Sequence, residues 1–260
     1  MKAIFLISLV LLGYSTFAAQ TPRKIEQLVL EHINKLSQAG GHHGMELDGM
    51  VEAENRAIKK LLATAGKRRD VLDYQFPQLQ DSMTIATSYD GKFRAYSWDA
   101  ESGGSAAWNE TIFQYLGRDG RVRVSIPKYR EGEVCPPFYS QIFQLGTAAG
   151  RLYVANSTSV CSNSLSVQKI SLFRIAGSIL DDKVRLIRTE SGLQNSISFE
   201  YDFFSVVDHP ERPIKLVFYD SKNKSFRFPV VIEDDKTPQG RVTDKFITYR
   251  FNGKYFVKVS

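Results

Sequence analysis

A mainly β protein, an antiparallel sandwich or small propeller-like domain preceded by an N-terminal pair of α-helices, is the fold class this sequence predicts. Three observations carry it. Two apolar stripes at helical spacing lie before residue 70, period-two alternation begins near residue 82, and Asp-Gly or Asn-Gly pairs separate many of the alternating runs. The predicted organisation is a signal peptide at 1–18, a helical segment at 19–70 and an antiparallel β domain at 71–260.

Met1-Lys2 supplies one positive charge, AIFLISLVLLGY an apolar core, and STFAAQ ends in small residues with a cut near Ala18 or Ala19. This reads as a secretory signal peptide, too short and wrongly flanked for a membrane span. No cysteine follows the apolar run, which disfavours a lipid anchor. Thr21-Pro22 then makes a helix start, Thr as N-cap and Pro at the first helical position. Ile25, Leu28, Val29, Ile33 and Leu36 form one stripe up to Gly40. After a predicted loop GGHHGMELDG, a second stripe of Met50, Ala57, Ile58, Leu61, Leu62 and Ala65 ends at Gly66.

Strands are predicted at MTIATSY, KFRAYSW, TIFQYL, RVRVSI, YSQIFQL and RLYVAN, then at VQKISLFRI, KVRLIRT, ISFEYDFF, IKLVFYD, SFRFPVVI, KFITYRF and KYFVKV. Asp90-Gly91, Asp119-Gly120 and Asn252-Gly253 suit tight hairpins. Echoes such as DGKFRAYSW and NGKYFVKV hint at repeated hairpins without the fixed period of a propeller.

Without residues 1–18 the chain keeps 33 basic and 28 acidic residues, a net charge of +5. Its one dense basic cluster, KKLLATAGKRRD, reads as a solvated helix C-terminus complementing the helix dipole. With no recognised module beside it, a nucleic-acid partner is not expected, and no later apolar run is long enough to span a membrane. Cys135 and Cys161 are the two cysteines, and in an oxidising compartment an isolated pair is one disulfide.

The stretch DGKFRAYSWDAESGGSAAWNETIFQY, residues 90–115, holds two tryptophans, four acids and a double glycine. Phe93, Ala95 and Ser97 alternate with Arg94, Tyr96 and Trp98, so one strand face is aromatic. Large aromatics usually anchor cores, but they also serve as interface hot spots or sugar platforms. Tyr96, Trp98, Trp108 and Tyr115, with Asp99 and Glu101, are the candidate binding residues. Asp99, Glu101 and Glu110 beside aromatics also sketch a glycosidase, which needs two carboxyls at a defined separation.

The run DGKFRAYSWDAESGG…IFQY, within residues 82–116, resembles a pattern of uncharacterised exported bacterial β-rich proteins. The resemblance implies a bacterial envelope setting; it implies no activity and no catalytic residue.

Other chemistry is thin. His42-His43 with Glu46 lacks a convergent third ligand other than His32, so no metal site is predicted. Asp208-His209 sits in VVDHPERP, whose prolines mark an exposed loop, with no nucleophile elbow, and no phosphate loop or dinucleotide fingerprint occurs. GSILDDK and VIEDDK lack the spaced oxygens of a calcium loop. No cofactor and no catalytic residue are predicted. The leading expectation is a non-enzymatic periplasmic or secreted binding protein, in its concrete form an immunity protein or inhibitor that binds an envelope-targeted toxin or hydrolase. Its partner is then a protein of the cell envelope. The alternatives are an envelope carbohydrate-active hydrolase and a carbohydrate or cell-wall binding module whose partner is a glycan.

Overall fold

The computed structural model describes residues 20–40, 45–102, 106–129, 135–207 and 215–259. The predicted signal peptide, His42-His43, Gly103-Gly104 and Asp208-His209 lie outside them.

The helices come first, as expected. Helix α1 spans Pro22–Ala39, α2 Met45–Ala65 and the short α3 Arg69–Asp73. Thr21 caps α1 by accepting from the Lys24 N–H at 3.2 Å, with Pro22 in the first turn. Helix α2 begins within the stretch expected to be loop, and its buried stripe runs through Val51, Ile58, Leu61, Leu62 and Ala65. Met50 falls off that stripe and is exposed. The basic cluster does not end one helix: Lys59 and Lys60 lie inside α2, and Arg69 opens α3 and pairs with Asp73 at 2.8 Å.

Strands β1 (Thr84–Thr87), β2 (Phe93–Asp99), β3 (Asn109–Leu116) and β4 (Val122–Ser125) form a first antiparallel sheet in that order. A second sheet takes β5 (Phe138–Thr147), β6 (Gly150–Val160), β7 (Leu165–Ala176), β8 (Ile179–Asp181) and, after β9 (Ile187–Thr189) and β10 (Gly192–Gln194), β11 (Ser196–Asp202). Its order is β11-β7-β6-β5, with β8 on β7. After the short α4 (Phe204–Val207) come β12 (Phe218–Asp220), β13 (Ser225–Asp234), β14 (Thr237–Phe251) and β15 (Phe256–Lys258). These join β9 and β10 in a third sheet, β10-β9-β15-β14-β13-β12, whose one parallel contact is β15 with β9.

The turn pairs behave as read. Gly91, Gly120 and Gly253 have φ of 65°, 77° and 100°, the left-handed region a tight hairpin requires. The predicted strand ISFEYDFF stops at Asp202, whose carboxylate accepts the Phe204 N–H at 2.9 Å and turns the chain into α4.

The layers stack in the order helices, first sheet, second sheet, third sheet. One core joins α1, α2 and α3 to Met83, Tyr96, Trp98 and Ile112. Another joins Phe93, Ala95, Phe113 and Tyr115 to Tyr153, Ala155 and Phe173 of the second sheet. A third lies between Leu152, Val154, Ile170 and Leu172 and the third sheet's Phe226, Phe228, Tyr249 and Phe256. No cluster of the described residues joins the first sheet to the third, so the sheets do not circle an axis. The fold is the sandwich form of the expectation extended by one sheet, and no barrel closes. The helices and the first sheet share one core, so residues 20–70 are a layer of the stack and do not carry a core of their own.

Candidate functional site

The expected aromatic surface is in the core. Tyr96 and Trp98 point from β2 into the helical layer at 1 % and 2 % exposure, and Tyr115 points the other way, into the second sheet, at 5 %. This corrects their reading as surface hot spots. The physical reason is that both faces of the first sheet are covered, one by helices and one by strands.

Each ring's polar group is satisfied internally. The Trp98 indole donates to Asn55 Oδ1 at 2.9 Å, and Asn55 Nδ2 donates to the Ala100 carbonyl at 2.8 Å. The Tyr96 hydroxyl donates to Gln114 Oε1 at 2.7 Å, and Tyr115 donates to the Ser178 carbonyl at 3.1 Å. Burial pushes the Tyr96 phenol up.

The remaining candidates scatter. Trp108 is half-buried, edge-on to Tyr129 with ring centres 6.2 Å apart. Glu110 pairs with Lys59 of α2 at 2.5 Å. Asp99 is exposed beside a depression of about 280 Å³ that also borders Asp81 and Trp98. Burial, reinforced by the Asp99 charge, pushes the Glu101 carboxyl up. The six predicted residues therefore do not form one surface.

A larger cleft of about 690 Å³ opens elsewhere, on the face of the second sheet turned toward the third. It arises from a change of chemistry along the strands. On β6 that face reads Leu152, Val154, Asn156, Thr158, Val160, the first two in the core and the last three in the cleft. On β7 Leu172 and Ile170 are core, while Gln168 and Ser166 line the cleft. Register brings these together, Gln141 of β5 opposite Asn156 and Thr158 opposite Gln168. Tyr201 of β11 lies opposite Ser166. The walls are Phe138, Tyr201, Phe203 and Leu216, with Lys215 exposed at the rim.

The floor is polar and incompletely paired. Asn156 and Gln168 are 4 % and 6 % exposed. Asn156 Nδ2 donates to Ser140 Oγ at 3.3 Å, leaving Oδ1 without a partner. Gln168 Oε1 and Gln141 Oε1 are also unpartnered, so three of the seven such buried side-chain atoms among the described residues line this cleft. Burial pushes the Tyr201 phenol up, against hydrogen bonding from Gln168 and Ser166. Among the described residues no carboxylate lines the cleft.

The rim is stapled. Cys135 and Cys161 form a disulfide with Cα atoms 5.1 Å apart, tying the approach to β5 to the end of β6, where Phe138, Val160 and Ser162 border the cleft. Among the described residues no group of three or more His, Cys, Asp or Glu is placed to hold a metal ion. None of their helices is long and apolar enough to cross a membrane.

Asn156, Gln168 and Gln141 were missed by the sequence reading. The available signal was an amide on the inward face of an otherwise apolar strand, visible in LYVANST and VQKISL. The chain matches no protein-family model, no curated protein and no solved structure.

Proposed function

We propose that this chain is an exported, non-enzymatic binding protein of the bacterial envelope and that the cleft on the second sheet is its recognition site. The observation that carries the reading is the pair of buried amides, Asn156 and Gln168, whose oxygens have no partner inside the fold. Leaving a buried acceptor unpaired costs about 1–3 kcal/mol, so such groups normally mark water or ligand positions. A volume of about 690 Å³ falls within the range of about 300–1,000 Å³ found for ligand pockets.

Export is supported by the signal-peptide pattern of residues 1–18, and the disulfide suits an oxidising compartment. A hydrolase reading has less support, because the two-carboxyl chemistry it needs has no representative among the described residues that line the cleft. The inhibitor or immunity form needs a partner segment that enters the cleft, since Tyr96, Trp98 and Tyr115, three of the four aromatics expected to meet a partner surface, are enclosed.

Thermal unfolding in the presence of solubilised envelope extract tests the proposal. Ligand binding raises Tm by mass action, and native mass spectrometry then identifies what is bound. A Tm that extract leaves unmoved, or turnover of an extract component by the protein, contradicts it.

A further inference from the structure

A basic depression of about 370 Å³ lies at one end of the first two sheets, where their hairpin turns meet. Lys92 from the β1–β2 turn, Arg118 from the β3–β4 turn and Arg151 at the start of β6 line it, beside Gly117, Gly120 and Tyr153. Backbone bonds join the turns. The Leu116 N–H donates to the Lys92 carbonyl at 2.9 Å, and the Arg118 N–H to the Gly177 carbonyl of the β7–β8 turn at 2.9 Å. The Arg118 side chain crosses to the β5–β6 hairpin, since a Cβ at Gly150 would lie 2.8 Å from its Nη2.

The three cations differ in how their charge is met. Arg151 is bonded to Asp90, whose carboxylate also accepts from Ser88 Oγ at 2.6 Å, the Tyr153 hydroxyl at 3.1 Å and the Lys92 N–H at 3.3 Å. The Asp90 side chain is 11 % exposed and that of Arg151 43 %, so an enclosed carboxylate orients an open guanidinium. Asp119, the acid of the β3–β4 turn, is taken by Arg123 at 2.6 and 2.7 Å. Lys92 and Arg118 are exposed, and neither side chain has a partner among the described residues. No carboxylate is among the described residues that line the depression. Two unanswered positive charges therefore sit beside a third, oriented donor.

Charge selects the ligand. A phosphate monoester carries about −1.5 to −2 at neutral pH, which matches Lys92 and Arg118 and leaves oxygen for Arg151. A carboxylate or a phosphate diester brings one negative charge and leaves one cation unanswered. Guanidinium–phosphate bonds are charge-assisted and strong. The volume lies within the range of about 300–1,000 Å³ of ligand pockets, with room for the group that the phosphate esterifies. We infer that this depression binds the phosphate monoester group of a ligand through Lys92, Arg118 and Arg151. It shares no lining residue with the cleft, so the inference does not depend on the cleft being a recognition site. Its contacts come from side chains, which leaves the backbone ladders of the first sheet as they are.

The test has a soluble arm and a membrane arm, both on the oxidised mature chain. Calorimetric titration compares glycerol 3-phosphate with the diester dimethyl phosphate. Sedimentation with phosphatidylcholine vesicles compares phosphatidic acid, a monoester, with phosphatidylglycerol, a diester. The expected result is saturable binding of the monoester in at least one arm, tighter than that of the diester. Arg118→Ala and Lys92→Ala should each weaken it about tenfold or more. Both remove exposed, unpaired side chains, so Tm should stay that of wild type. Lys245→Ala, which removes an exposed charge from β14 of the third sheet, should leave binding unchanged. Binding of glycerol 3-phosphate assigns the site to a soluble phosphate ester, and binding of phosphatidic acid vesicles alone assigns it to a lipid head group. Binding of neither monoester, equal binding of the diesters, monoester binding indifferent to both substitutions, or an equal loss with Lys245→Ala overturns the inference.

Discussion

Replacing Asn55 with Ala should destabilise the protein by about 2–4 kcal/mol, although residue 55 lies far from the cleft. The magnitude follows from what the side chain holds. Asn55 accepts from the Trp98 indole at 2.9 Å and donates to the Ala100 carbonyl at 2.8 Å and the Val51 carbonyl at 2.9 Å. Trp98 and Ala100 are each 2 % exposed, so truncation orphans one donor and one acceptor away from water. Each orphan costs about 1–3 kcal/mol, reduced where water enters the space left. Guanidinium titration followed by tryptophan fluorescence and far-UV circular dichroism measures the loss. Trp98→Phe removes the orphaned donor itself, so the double variant should be more stable than the sum of the two single losses implies, by about 1 kcal/mol. If Asn55→Ala stays within about 0.5 kcal/mol of wild type, as ordinary surface changes do, or if the two losses simply add, the clasp between α2 and the first sheet is not the one described.

Three further outcomes follow from the same geometry. Replacing Cys135 and Cys161 with Ser opens a 26-residue loop and should lower unfolding free energy by about 3–4 kcal/mol in the chain-entropy account, measured by denaturant titration beside the oxidised wild type. Burial pushes the Asp90 carboxyl up, but donation from Ser88, the Lys92 N–H and Arg151 outweighs it and holds the group below the usual carboxylate range. A depressed folded pKa adds stability above the unfolded value of about 4 and loses it as pH falls through the folded one. Asp90→Asn should therefore be less stable at neutral pH and converge with wild type in acid, and parallel curves at every pH would contradict this. Glu110→Gln, which breaks a partly exposed pair with Lys59, should cost less than about 1 kcal/mol in the same titration.

Much of the fold was legible because its signals are local. Thr21-Pro22 needs only its own turn to act as a cap, and Asp90-Gly91, Asp119-Gly120 and Asn252-Gly253 need only their own φ angles to make hairpins. The cysteine pair needed no geometry, being the only two in the chain. What failed was layer order. Alternation shows that Tyr96 and Trp98 share a face, but not that α1 and α2 cover it, and a covered aromatic face reads the same as an open one. Met50 illustrates the same limit within a helix, since α2 starts earlier than its glycines imply and its stripe is set by Val51 and Ile58.

The cleft was the least legible part. Asn156, Gln168 and Gln141 come from three strands, and each alone is an ordinary amide in a β-strand. Only the registers Gln141 to Asn156 and Thr158 to Gln168 assemble them into a floor. That the acceptors are unpaired depends on neighbours outside their own strands, whereas Leu152, Val154 and Ile170 on the same faces are covered by the third sheet. No pattern within a single strand carries that information.

Hydrogen–deuterium exchange of the protein with and without solubilised envelope extract tests the central claim most directly, because it reports where a ligand sits without presupposing what it is. The account predicts new protection in the strand segments around Gln141, Asn156, Gln168 and Tyr201, with α1, α2 and the first sheet unchanged. Protection confined to the region of Trp108, Asp99 and Glu101, with the cleft strands exchanging as before, would contradict it.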